Sequence, residues 1–138
     1  MVDVGDKPEV RRTAVAQGDF LARPDTLDRL LAGDMPKGDA LAAARLAGIA
    51  AAKRTDELIP LCHTLPLDFV GVEFERVEPD RLRVKGTASL TARTGVEMEA
   101  LVAVTVACLT LYDMTKAVDK SLRFESIYLV EKTKQDPA

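Results

Sequence analysis

Asp113 and Lys116 stand three residues apart in a run that reads as helix, the spacing at which side chains on one face meet. A carboxylate and an ammonium group sharing a cleft can pass protons in both directions when the cleft tunes their pKa values. The same spacing also suits an ordinary ion pair near a helix end, and spacing alone leaves both readings open. His63, the single histidine, follows Cys62 inside Leu61-Cys62-His63-Thr64-Leu65, a segment bracketed by Pro60 and Pro66. Proline fixes φ and stiffens such a loop, and acid–base work needs a fixed imidazole. A lone histidine is also common as a satisfied structural residue. One histidine beside one cysteine falls short of the ligand set of a metal centre. Lys37-Gly38-Asp39 precedes a second helical run, where free backbone N–H groups and a lysine can hold an anion. It lacks the P-loop pattern, which argues against a nucleoside-triphosphate hydrolase.

The elements that must position these residues follow from periodicity. An extended arm leads to a strand over Arg12–Leu21, with Gly18-Asp19 as a candidate bulge. Pro24 opens a short helix ended by Gly33. A second helix of mostly small residues runs from Lys37-Gly38-Asp39 to about Lys53. Val70, Val72 and Phe74 alternate on one strand and Leu82, Val84, Ala88 and Leu90 on the next, joined by a Pro79-Asp80 turn. Thr94-Gly95-Val96-Glu97 fits a capping box at the start of a long helix reaching Asp119. A last strand over Phe124–Val130 precedes a polar tail. The order predicts a ferredoxin-like β-α-β-β-α-β sandwich, an α+β fold with an antiparallel sheet, helices on one face and one extra helix in the first crossover.

Two apolar seams mark the long helix. Leu101, Val104, Cys108, Leu111 and Val118 form one, and Val102, Val106 and Leu109 a second that points the other way. One sheet covers one seam, so the second predicts a partner subunit. Asp113 continues that second seam. Glu99 and Asp113 are fourteen residues apart, about 21 Å along a helix axis, so a small ligand touching both requires two subunits.

The chain has 138 residues, 19 Lys+Arg against 22 Asp+Glu, and 47% hydrophobic residues, which suits one domain over 1–138. The acidic balance gives no reason to expect nucleic acid. Cys62 and Cys108 read as reduced, buried thiols. The longest apolar run, Ala100–Tyr112, is short for a hydrocarbon core of roughly 30 Å, and no basic-then-apolar leader is seen. The expectation is a soluble, cytoplasmic chain without a membrane partner.

Several strings stand in one order: Met1-Val2-Asp3-Val4, Lys37-Gly38-Asp39, Ala47-Gly48-Ile49, Ala51-Ala52-Lys53-Arg54-Thr55, Leu58-Ile59-Pro60-Leu61-Cys62-His63, Thr94-Gly95-Val96-Glu97-Met98-Glu99-Ala100 and Leu111-Tyr112-Asp113-Met114. In these the chain closely resembles the cyclic pyranopterin monophosphate synthase family (molybdenum cofactor biosynthesis protein C), over nearly its whole length. The resemblance implies a hexamer, a trimer of dimers with active sites at subunit interfaces. It implies a lyase-type enzyme that converts 3′,8-cyclo-7,8-dihydro-GTP into cyclic pyranopterin monophosphate and releases pyrophosphate. No cofactor is expected, and the residues themselves point to no metal site. Carried over by motif, Asp113 is the catalytic acid/base, with Lys116, His63 and Lys37 as further catalytic groups. Leu61, Cys62, His63, Met98 and Glu99 match substrate-binding stretches, and Lys132 and Arg12 match cations suited to phosphate. Two departures stand out: Thr64 replaces a usual proline, and Thr133-Lys134-Gln135-Asp136-Pro137-Ala138 replaces a glycine-rich tail. The alternatives are a catalytically impaired relative that binds a pterin precursor or nucleotide without turnover, and a structural ferredoxin-like interaction module.

Overall fold

The computed structural model describes residues 1–135. Even-numbered residues of β1 (Val10–Leu21) turn inward, so Ala14, Ala16 and Phe20 are fully buried. In β3 (Arg81–Ala92) Leu82, Val84, Ala88 and Leu90 do the same. These two strands pair antiparallel at the sheet centre, with Ala14 opposite Ala88 and Ala16 opposite Gly86. β2 (Phe69–Glu78) flanks β3 and β4 (Arg123–Gln135) flanks β1, giving the order β2-β3-β1-β4. All three pairings are antiparallel. The first crossover carries α1 (Pro24–Leu31), α2 (Ala40–Ala52) and α3 (Thr55–Leu58), and the second carries α4 (Glu97–Thr115). This is the expected ferredoxin-like α+β arrangement, with α1 as the extra helix.

Small residues set how close the layers come. An added Cβ at Gly86 would lie 2.9 Å from Val104 Cγ2 and 3.1 Å from the Ala100 carbonyl oxygen. One at Gly48 of α2 would lie 2.7 Å from the Ala103 carbonyl oxygen. The central helix α4 is therefore packed backbone-close on both sides, and the small residues of α2 permit it. Within the first seam Val104, Cys108 and Leu111 are fully buried, while Leu101 and Val118 are half-buried. The second seam is divided: Val102 is buried within the chain, whereas Leu109 is 57% exposed. α4 is long and apolar enough to cross a membrane by length and composition, unlike the expectation from its short apolar run, but half of its apolar window is buried within the protein, as in a core helix.

Several boundaries differ from expectation. β4 runs to Gln135 rather than Val130, because its polar residues pair with Arg11–Val15 at a sheet edge where hydrophobic alternation is silent. The bulges of the β1–β4 pair lie on β4: Val130 is extra between the pairs Val15–Glu131 and Ala16–Leu129, and β4 also carries an extra residue opposite Gly18, where Ser126 has φ 56°. Gly18-Asp19 itself stays in register with β3. The capping box does not form, since Val96 is the N-cap residue and no side chain caps the helix. α4 ends at Thr115 because Asp119 leaves the helix to accept bonds from the Arg23 backbone N–H at 3.0 Å and from Ser121 at 2.6 and 2.7 Å. The short α3 was not anticipated; Thr55 opens it by donating its hydroxyl to the Ala52 carbonyl at 2.8 Å. Both thiols are free as expected, but Cys62 is only half-buried.

Gly48→Val places a branched side chain against the α4 backbone and is expected to destabilise the protein by roughly 1–3 kcal/mol. Urea unfolding that returned the wild-type midpoint would contradict this close contact.

Candidate active site

Lys37 and Asp113 are brought together from 76 residues apart in sequence. Gly38, at φ 115°, closes a tight turn through a bridge between Met35 and Gly38, and Asp39 then caps α2 by accepting the Ala42 N–H at 3.1 Å. Asp39 thus fills the anion role that the free helix start had suggested. Lys37 is directed instead to Asp113, with its Nζ 2.8 Å from Oδ2. Lys116 Nζ lies 3.0 Å from the other carboxylate oxygen. Hydrogen bonds from Lys37 and then Lys116 hold the Asp113 carboxyl below its ordinary range. All three side chains are about half exposed, so a ligand can reach an ionised base clasped by two ammonium groups.

The opposite end of α4 carries a second set. Leu61, Cys62, His63, Thr94 and Met98 line an open cleft of about 440 Å³ with the proline-bracketed loop. His63 Nε2 lies 2.8 Å from the Val2 carbonyl oxygen, so the amino-terminal arm holds the imidazole. Thr64 donates its hydroxyl to Asp56 at 2.8 Å, which ties the loop to α3 where proline had been expected to stiffen it. Glu99 is 2% exposed, and its Oε1 has no hydrogen-bond partner among the described residues. Burial pushes its carboxyl up; its own backbone N–H opposes this, and the negative charges of Glu97 and Asp56 reinforce it. Burial, then Glu99 and Asp56, likewise raise the Cys62 thiol.

Arg12 and Lys132 wall an adjoining cavity of about 190 Å³, which shares Gly95 and Glu97 with the cleft. Arg12 donates to the carbonyls of Ala92 and Arg93 at 3.1 and 3.3 Å, fixing the turn that leads into α4. Lys132 meets Glu97 at 3.3 Å. Glu97, expected to cap its own helix, is therefore a wall of both cavities and a counter-charge to Lys132.

One protomer thus gathers Leu61, Cys62, His63, Met98, Glu99, Arg12 and Lys132 at the amino-terminal end of α4, and Lys37, Asp113 and Lys116 at its other end. Sequence reasoning missed Val2 and Asp56. The Met1-Val2-Asp3-Val4 string was a signal for the first, while nothing in the spacing marked the second. Thr133, Lys134 and Gln135 continue β4 rather than trailing as a tail, and Asp136, Pro137 and Ala138 lie outside the described residues.

Fold and site together define a ferredoxin-like α+β protein with a Lys–Asp–Lys charge cluster at one end of α4 and, at the other, a largely apolar cleft adjoining a cavity walled by Arg12 and Lys132. A profile described as the MoaC family matches residues 1–135, and the chain belongs to that family. It is 58% identical over 132 residues to the cyclic pyranopterin monophosphate synthase of Novosphingobium aromaticivorans, covering 96% of this chain and 83% of that protein. With the enzyme of that name from Herpetosiphon aurantiacus the identity is 56% over 134 residues, covering 96% and 82%. With cyclic pyranopterin monophosphate synthase 1 of Mycobacterium tuberculosis it is 54% over 133 residues, covering 96% and 78%.

Because the folded Glu99 carboxyl is raised, its ionised form is penalised in the folded state. That cost is absent below the ordinary value of 4.5 and complete once the pH exceeds the folded value. Glu99→Gln is therefore expected to melt above wild type at pH 7.5, with the gap closing toward pH 4, about the unfolded-state value. A gap that widened on acidification would contradict the assignment.

Proposed function

We propose that this chain is a lyase that converts 3′,8-cyclo-7,8-dihydro-GTP into cyclic pyranopterin monophosphate and releases pyrophosphate, a step of molybdenum cofactor biosynthesis. Membership of the MoaC family and the name shared by its relatives support the pterin-forming activity. The observation that carries the chemistry is the Asp113 carboxylate held between Lys37 and Lys116 at 2.8 and 3.0 Å.

Opening a cyclised purine and rebuilding it as a pterin demand several proton transfers at ring nitrogens and carbons. Asp113, kept ionised by its neighbours, accepts a proton, and the two ammonium groups are placed to donate one or to balance charge. His63, fixed by the Val2 carbonyl, is a second acid–base group. Closing the cyclic phosphate forms one P–O bond and breaks another, and the charge leaving with pyrophosphate is met by Arg12 and Lys132. Leu61, Cys62 and Met98 receive the flat ring system, and the buried Glu99 accepts hydrogen bonds from its guanine-like N–H edge.

The two residue sets hang from opposite ends of one helix, about 21 Å apart from Glu99 to Asp113. This supports active sites built between subunits, in a hexamer arranged as a trimer of dimers, and the exposed Leu109 offers apolar surface for such contacts. On this reading each chain is one domain of a cytoplasmic enzyme without resident metal or cofactor.

Incubation with the cyclised GTP derivative, followed by detection of the pterin product, tests the activity; binding without product would favour the non-catalytic alternative. Asp113→Asn is expected to lower product formation by about 10²-fold or more. Lys116→Gln removes a cation that holds Asp113 ionised, so the acidic limb of kcat/KM is expected to move to higher pH. An unmoved limb in that variant would show that Asp113 is not the base being titrated.

A further inference from the structure

His63 is held from one side by a group that can only accept. Its Nε2 lies 2.8 Å from the Val2 carbonyl oxygen, and a carbonyl has no proton to give, so Nε2 carries the hydrogen of the neutral ring. The lone pair then sits on Nδ1, and the imidazole can take up a proton only there. Val2 lies on an exposed arm, so this bond alone does not anchor the loop. The second hold comes from the next residue. Thr64 Oγ1 donates to Asp56 Oδ2 at 2.8 Å and ties the loop to α3 across eight residues. α3 is itself fixed, because the buried Thr55 donates its hydroxyl to the carbonyl of Ala52, the last residue of α2. α2 in turn is pressed backbone-close on α4 at Gly48. Asp56 is half-buried and pairs with no cation among the described residues, which leaves the Thr64 hydroxyl as its side-chain donor. The Asp56 charge also acts on Glu99 and Cys62, which places it beside the cleft that His63 lines.

We propose that Thr64 is a positioning residue for His63: through Asp56 it holds the imidazole with Nε2–H on the Val2 carbonyl, so that Nδ1 is the nitrogen that exchanges protons with the substrate. This rests on the activity reading above and deepens it. Nδ1 takes a proton to give the imidazolium and returns one from the same atom, while Nε2–H stays on Val2 throughout. Thr64 stands where proline is usual in the family the chain resembles. A hydroxyl–carboxylate bond here restrains by contact a loop that a proline ring would restrain by fixing φ.

As the single histidine, His63 gives one pair of imidazole nitrogen signals, so long-range proton–nitrogen NMR spectra of the untagged, labelled chain in alkaline buffer report its tautomer directly. The wild type is expected to show a protonated Nε2 and a bare Nδ1 with widely separated shifts. Thr64→Val keeps the shape and loses the hydroxyl. It is expected to draw the two shifts together as the tautomers average, and to lower kcat for the cyclised GTP derivative about tenfold with a smaller change in KM. Thr64→Ser is expected to restore both. Asp56→Ala breaks the same bond from the other end and should give the same spectral change, to which Thr64→Val adds nothing further. Wild-type nitrogen shifts in Thr64→Val overturn the proposal, as does a wild-type ring protonated at Nδ1 or a loss that serine does not rescue. The activity reading fails separately. If the wild type forms no pterin while Thr64→Val still changes the spectrum, the positioning of the ring stands without the reaction. If product forms and Thr64→Val changes neither spectrum nor kcat, the positioning role is wrong and the activity stands.

Discussion

The position of α4 depends on backbone-to-backbone contact on two sides at once. Gly86 lets the Ala100 carbonyl come down onto the sheet, and Gly48 lets α2 press against the Ala103 carbonyl. Ala14, Ala16 and Ala88 keep the sheet surface low around that point. A helix held this way has little freedom to shift along or about its axis, since interiors packed at this density resist displacement. The polar groups at both of its ends inherit that fixity.

Each end uses it differently. At the carboxyl-terminal end, Asp113 and Lys116 project from the helix surface and Lys37 reaches them across a capped turn, giving an open, fully paired cluster whose charges water can still screen. At the amino-terminal end, Glu99 is buried with no partner for Oε1 among the described residues, beside a half-buried thiol and two further carboxylates. The first arrangement favours the ionised acid and the second disfavours it. Two carboxylates on one helix are thereby pushed in opposite directions by their surroundings, a separation of acid and base character that a single environment could not provide.

Much of this architecture was legible in the sequence. Period-two alternation marked β1, β2 and β3, the apolar run marked α4, and the strand–helix order specified the ferredoxin-like topology. The i, i+3 spacing of Asp113 and Lys116 correctly anticipated their contact. What could not be read was of two kinds. Long-range polar contacts such as Lys37 with Asp113, Thr64 with Asp56 and His63 with Val2 depend on the folded path of loops, which local patterns do not encode. Edges and ends were misread because they carry no core-facing signal. β4 keeps pairing through charged residues after its apolar alternation stops, and a plausible capping string yields when its carboxylate is drawn to Lys132 instead.

The extra residue at Val130 has an effect out of proportion to its size. In a strand, successive side chains alternate between faces, so one unpaired residue exchanges the faces of everything beyond it. Before the bulge, Leu129 pairs with Ala16 on the helix side; after it, Lys132 and Lys134 pair with Ala14 and Arg12 on that same side. An uninterrupted strand would present Glu131 and Thr133 toward α4 and turn both lysines to the outer surface. The parity of this strand therefore decides whether the amino-terminal end of α4 looks out on ammonium groups or on a carboxylate, and a single insertion or deletion there would reverse the sign of the cavity while leaving every residue type in place.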